Sequence, residues 1–191
     1  MLNLIPIFFC MLLSLSYFIA PSCAPEFRVV AASEINNLDR IEWSERRLSW
    51  DDFQAQPDRD SWRIAAVTSS VIQYRYHCKD GLLNYEVKSI FLKDESWVKD
   101  NARTTNYLAH EQLHFDITEV FARNLRNELS KRTFRCNEAK AFERSIQKVL
   151  NEWKKTQTKY DRETQYSLDK PSQREWMTMI DELLSIEMKG W

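Results

Sequence analysis

Two of the three histidines in this 191-residue chain stand four residues apart in the stretch Ala109-His110-Glu111-Gln112-Leu113-His114-Phe115-Asp116. On a helix each residue advances about 100°, so His110 and His114 lie only ~40° apart, one turn from each other on a single face. Two imidazoles placed in that way can both reach one metal ion. Glu111 projects roughly 60 to 100° to the side of the pair, beside the ion, where its carboxylate can take a proton from a water on the metal. This is the mechanical content of a His-Glu-x-x-His pattern: zinc lowers the pKa of bound water toward neutrality and polarises a carbonyl, so hydroxide attack becomes feasible at ordinary pH. The competing reading is a pair of core histidines that donate to backbone carbonyls.

The helix that would carry them has a clear apolar stripe. With His110 as origin, Leu113, Ile117, Val120, Phe121 and Leu125 fall within about 80° of it on either side, whereas Gln112, Asp116, Glu119, Arg123 and Asn127 occupy the far side. Asp116, though close in sequence, points roughly 120 to 160° away from the histidines and is expected to bond locally. A third metal ligand must therefore come from elsewhere. If this helix and the next form an antiparallel hairpin turning near Arg135, the residue opposite His110 lies near position 160, in the segment Thr158 to Ser167. That segment offers Tyr160, Asp161, Glu163 and Tyr166, any of which could complete the site, or, for a tyrosine, stabilise an oxyanion.

The elements follow from periodicity. Trp43, Leu48, Trp50 and Phe53 read as a strand followed by a turn at Ser49 to Asp52. Residues 64 to 77 are rich in β-branched and aromatic types, with Ile72, Tyr74 and Tyr76 alternating against Gln73, Arg75 and His77. Asp80-Gly81 supplies a turn, and Leu83, Tyr85, Val87, Ser89 and Phe91 alternate on the way back, which predicts a hairpin. The end of that return strand, Phe91 to Lys93, is a candidate edge on which a peptide could align by β-addition. Thr104 or Thr105 can cap a helix to about Arg132, and Asn137 can cap a second that carries Phe142, Ile146, Val149, Leu150, Trp153 and Tyr160 at helical spacing. Pro171-Ser172 starts a third, with Trp176, Ile180, Leu183 and Leu184 inward and Gly190 past its end. Strands first, then three helices, predict a single α+β domain.

At these residues the chain resembles a bacterial family, domain of unknown function 922, described as predicted secreted zinc-dependent proteases. The resemblance is carried by "LSWDDF", "AAVTSS", "SWVK", "LAHEQLHFDITEVFARNL", and "YDRETQYS" leading into "QREWMTMI". It implies a zincin-like metallopeptidase in which His110 and His114 are zinc ligands and Glu111 is the catalytic acid/base. The family's late motif runs approximately Tyr-Asp-x-x-Thr-x-His-Gly. Tyr160, Asp161 and Thr164 match it, but Tyr166 stands where a histidine is usual and Ser167 where glycine is.

The surrounding composition sets the compartment. Residues 1–24 form an uncharged apolar run closed by a small-residue and proline break, which reads as a secretory signal peptide, with a retained anchor or a lipoprotein signal at Cys23 as alternatives. Residues 25–191 then form the single domain, which keeps all 27 basic and 28 acidic residues and has no charge excess to recruit nucleic acid. Only Cys78 and Cys136 remain in it, and an exported chain meets an oxidising environment, so the two are expected to pair, contributing about 4 kcal/mol by chain entropy. Such a bond places His77 at the far end of a helix, ~25 to 30 Å from the His-Glu-x-x-His turn, too far to be a ligand. The expectation is a monomeric exported zinc peptidase, periplasmic or secreted, acting on a peptide or protein substrate. Its rival is a non-catalytic envelope or binding protein on a degenerate scaffold, with Tyr166 as the feature that separates them.

Overall fold

The computed structural model describes residues 39–58, 61 and 64–186. The expected signal segment, Cys23 and Gly190 lie outside the described residues.

Strand β1 (Arg40–Glu42), β2 (Ala66–Val67), β3 (Ser70–Lys79), β4 (Leu82–Leu92) and β5 (Trp97–Val98) precede helices α1 (Thr105–Ser130), α2 (Ala139–Glu163) and α3 (Lys170–Ser185). The fold is α+β, as the sequence predicts. The hairpin is antiparallel, with Lys79 paired to Leu82 across the turn. Asp80 and Gly81 both adopt positive φ there, at 53° and 79°, the conformation a two-residue turn of this hand requires. The region 64–77 is not one strand, however. It breaks at Thr68 and Ser69, because Ser69 N–H leaves the ladder for Ser96 Oγ and the Thr68 hydroxyl donates to the Glu111 carbonyl.

The sheet order β1-β4-β3 corrects one expectation. β4 is the central strand, with Phe91 paired both to Ile41 and to Ser70. Phe91 to Lys93 therefore offers no free edge to a peptide. One face of the sheet carries Ile72, Tyr74, Tyr76 and Val87 against the helices, while Phe91 and Ile41 join Phe53, Val98 and Phe115 in a second cluster.

Thr104 caps α1 by accepting from Tyr107 N–H. Asn137 does not cap α2: a 3-10 turn over Cys136–Glu138 intervenes, and Arg135 N–H donates to the Glu138 carboxylate. The Cys78–Cys136 disulfide explains the local geometry, since it ties this turn to the hairpin, whose Leu83 N–H donates to Phe134 and whose Gly81 carbonyl accepts from Cys136. From there α2 returns beside α1. Its buried residues Phe142, Ile146, Leu150, Trp153, Gln157 and Tyr160 recur every three or four positions. Trp153 meets Thr118, Gln157 meets His114 and Tyr160 meets His110, so the two helices are antiparallel and in the predicted register. Helix α3, capped by Asp169, runs parallel to α1, with Gln173 beside His110 and the Leu184 carbonyl accepting from Arg123. Leu183, expected inward, is exposed: of the adjacent pair only Leu184 packs against the core.

The far side of α1 is covered as far as Glu119, whereas Asn127 is exposed. Gln112 and Asp116 are buried because the segment after β1 lies across them, and Glu119 is buried where it accepts from Ser89 Oγ of β4 and from Arg123 and Arg126. Trp43 Nε1 and Arg47 donate to Asp116, and Leu48 N–H donates to Gln112 Oε1.

Candidate metal centre

α1 presents His110 and His114 inward, and the last turn of α2 brings Asp161 between them. The Asp161 Oδ1 lies 3.2 Å from His110 Nε2 and 2.9 Å from His114 Nε2. All three residues are buried, and among the described residues they are the one group of three such side chains arranged to hold a metal ion. The identity of the metal is not fixed by the donors, although two imidazoles and a carboxylate suit zinc. Ligand atoms ~3.3 Å apart are what tetrahedral bonds of about 2.0 to 2.1 Å produce.

The reason the three donors fit an ion lies one layer out. His110 Nδ1 is 2.9 Å from Gln173 Oε1, and His114 Nδ1 is 2.7 Å from Gln157 Oε1. An amide oxygen only accepts, so each ring carries its proton on Nδ1 and turns the Nε2 lone pair toward the shared carboxylate. Two lone pairs facing a carboxylate repel unless a cation stands among them. A proton can serve: burial alone would depress the His114 imidazolium, but the charge and hydrogen bond of Asp161, with Glu111 behind, outweigh it and push its pKa up to about 9. Likewise burial would raise Asp161, and the imidazoles outweigh that, holding its carboxyl far below the usual range. A divalent ion satisfies the same three atoms at once.

The orientation of Gln157 is itself secured. Its Nε2 donates to the His114 carbonyl and to Thr118 Oγ1, while Gln173 Oε1 also accepts from the Tyr160 hydroxyl at 2.8 Å and its Nε2 is buried without a partner. Tyr160 stacks on His110, with ring centroids 4.6 Å apart. Burial pushes its phenol well above the ordinary tyrosine range. It stays neutral and buttresses a ligand; as a tyrosinate ligand it is excluded by its direction toward Gln173.

The remaining candidates separate cleanly. Glu163 accepts from Trp176 Nε1 at 3.1 Å, outside the centre. His77 is exposed at the end of β3. Tyr166 is 47% exposed and lines a cleft that also receives His110, Glu111, His114 and Asp161. Glu111 is 3% exposed, and its Oε2 has no hydrogen-bond partner. A buried carboxylate oxygen left unpartnered beside three metal donors is available to take a proton. The cleft's other wall is the segment Ile64 to Thr68, held over α1 by the Thr68 bond to Glu111.

Sequence reasoning did not find Gln157 or Gln173. The available signal was a neutral amide inside each apolar stripe, where an unpaired polar group is costly and so implies a partner.

A family model described as "Bacterial protein of unknown function (DUF922)" matches residues 40–168. That span runs from β1 through the turn bearing Tyr166; Gln173 falls outside it. No curated protein and no solved structure matches the chain.

Proposed function

The chain belongs to the bacterial DUF922 family of proteins of unknown function, and from that premise we propose that it is an exported zinc-dependent metallopeptidase. The observation that carries the reading is the pairing of a three-donor centre, His110, His114 and Asp161, with an unpartnered Glu111 carboxylate oxygen in one cleft. His110, His114 and Asp161 would hold the zinc, which when bound would supply a water of lowered pKa and a Lewis acid for the scissile carbonyl. Glu111 accepts the proton of the attacking water and returns it to the leaving amine. Gln157 and Gln173 keep both imidazoles in the tautomer that binds through Nε2.

Substrate alignment falls to β2 and not to β4. Ala66 pairs with Val98, and the Ala65 carbonyl accepts from Lys99 N–H, so Ala65 and Val67 bond toward β5. By antiparallel alternation the Ala66 N–H and C=O face the opposite edge, where an extended peptide can add a strand. Export is supported by the disulfide, which suits an oxidising compartment. Among the described residues no helix is long and apolar enough to cross a membrane.

A second reading, a non-catalytic binding protein, is favoured by Tyr166 and Ser167 standing where the resembling family has histidine and glycine. Hydrolysis of a mixed peptide library by zinc-replete protein separates the two. The peptidase reading expects cleavage that Glu111→Gln abolishes while zinc is retained. Bound zinc without cleavage of any peptide would leave the binding protein.

A further inference from the structure

The cleft beside the metal centre is chemically one-sided. Ile64, Ala65, Ala66 and Val67 form one wall, and Tyr107 and Tyr166 add aromatic surface. Thr68 uses its hydroxyl on the Glu111 carbonyl. Among the described lining residues the ionisable groups other than the two phenols are Glu111, Asp161 and the two histidines, all engaged in the centre itself. An aspartate or glutamate side chain entering along this wall would leave water and meet no counter-charge, which is strongly unfavourable, and the carboxylates a lysine or arginine could reach, Glu111 and Asp161, belong to the centre and not to the wall. An apolar side chain would lose only its hydration shell.

Tyr166 is held in this position against its backbone preference. Gln165, Tyr166 and Ser167 have φ of 49°, 55° and 75°, three successive non-glycine residues in the left-handed region, where side chains are disfavoured. Surrounding bonds impose the turn. Tyr166 N–H donates to the Asp161 carbonyl, Asp169 N–H donates to that of Thr164, and Asn106 on α1 donates to both the carbonyl and the hydroxyl of buried Ser167. Strain of this kind persists where the surroundings over-determine it, and it concentrates at ligand-contacting positions. Here its product is a half-exposed aromatic ring fixed relative to Asp161, at the mouth of the cleft.

We infer that Tyr166 is a specificity-determining residue, and that the site takes an extended, uncharged peptide segment whose apolar side chain, of leucine or phenylalanine type, lies between the Ile64–Val67 wall and the Tyr166 ring. This rests on the peptidase reading for the reaction but predicts recognition separately from it. The test is calorimetric binding of blocked pentapeptides, Ala-Ala-X-Ala-Ala with X as Phe, Leu, Lys or Glu, to zinc-loaded Glu111→Gln protein, with hydrolysis of the same peptides by the unmodified protein alongside. Phe and Leu peptides are expected to bind at least ~10-fold tighter than Lys or Glu peptides, with the advantage falling below about 3-fold in Tyr166→Ala and persisting in Tyr166→Phe. Equal affinity for charged and apolar peptides, an advantage untouched by Tyr166→Ala, or no binding of any of the four would overturn the inference. Selective binding without hydrolysis would remove the peptidase reading and leave the recognition site standing; hydrolysis indifferent to X would do the reverse.

Discussion

The two sides of α1 bury polar groups in opposite ways. On one side Asp116 is fully enclosed and saturated: Trp43 Nε1, Arg47 and Gln112 Nε2 all donate to it, at 2.8 to 3.1 Å. Burial still raises its pKa, opposed by those donors. On the other side, Glu111 is also buried and its Oε2 accepts from nothing, while His110, His114 and Asp161 turn acceptor atoms toward one point. The first arrangement is complete within the chain and fixes the N-terminal segment to the helix. The second leaves Glu111 Oε2 open and gathers three donors that could hold a cation from outside. A carboxylate's burial does not distinguish structure from chemistry; the closure of its hydrogen bonds does.

Four measurements break or sharpen that contrast, beginning with the largest effect. Glu111→Gln should lower peptide hydrolysis by about 10²- to 10⁴-fold, yet move stability by no more than about 0.5 kcal/mol, because Oε2 gives up no hydrogen bond. Steady-state kinetics and a thermal melt on the same preparation check both halves. Asp116→Ala should do the opposite. Leaving three donors without their acceptor is expected to cost about 2 to 3 kcal/mol in urea unfolding, with zinc stoichiometry retained.

Removing an outer partner sharpens the assignment further. Gln157→Leu deprives His114 Nδ1 of its acceptor and should weaken zinc binding by about 10- to 100-fold in chelator competition, whereas Gln112→Leu, across the helix, should leave zinc affinity unchanged. The smallest effect concerns the enclosed side as pH falls. Asp52 is buried but accepts from Arg46 through both oxygens and from Ser49 N–H, and these bonds lower its pKa from 3.8 to about 2. A depressed folded-state pKa contributes stability that is fully present above the unfolded value and lost as pH drops through the folded one. Unfolding midpoints should therefore fall between about pH 4 and pH 2, and Asp52→Asn should flatten that part of the profile.

Much of this was legible in the sequence because it rests on periodicity. The His110–His114 face, the antiparallel return that sets residue 160 opposite His110, the Asp80-Gly81 hairpin and the Cys78–Cys136 pair each follow from spacing or residue type. What was not legible depends on termini and short pairings. Choosing Asp161 over Glu163 or Tyr166 requires knowing where α2 ends, since two residues of phase turn a side chain from the centre to Trp176. A three-residue β1 carries no pattern long enough to count, yet it converts β4 from an edge into the middle of the sheet. The burial of Gln112 and Asp116 follows from a loop's path, which no helical wheel contains.

The most direct test is the zinc content of the purified protein after equilibration with zinc and removal of excess, alongside Asp161→Ala. The expected result is about one equivalent in the unmodified protein, and a small fraction of that in the variant, whose fold is otherwise intact. Less than about half an equivalent in the unmodified protein, or undiminished binding in Asp161→Ala, would contradict a centre built from His110, His114 and Asp161.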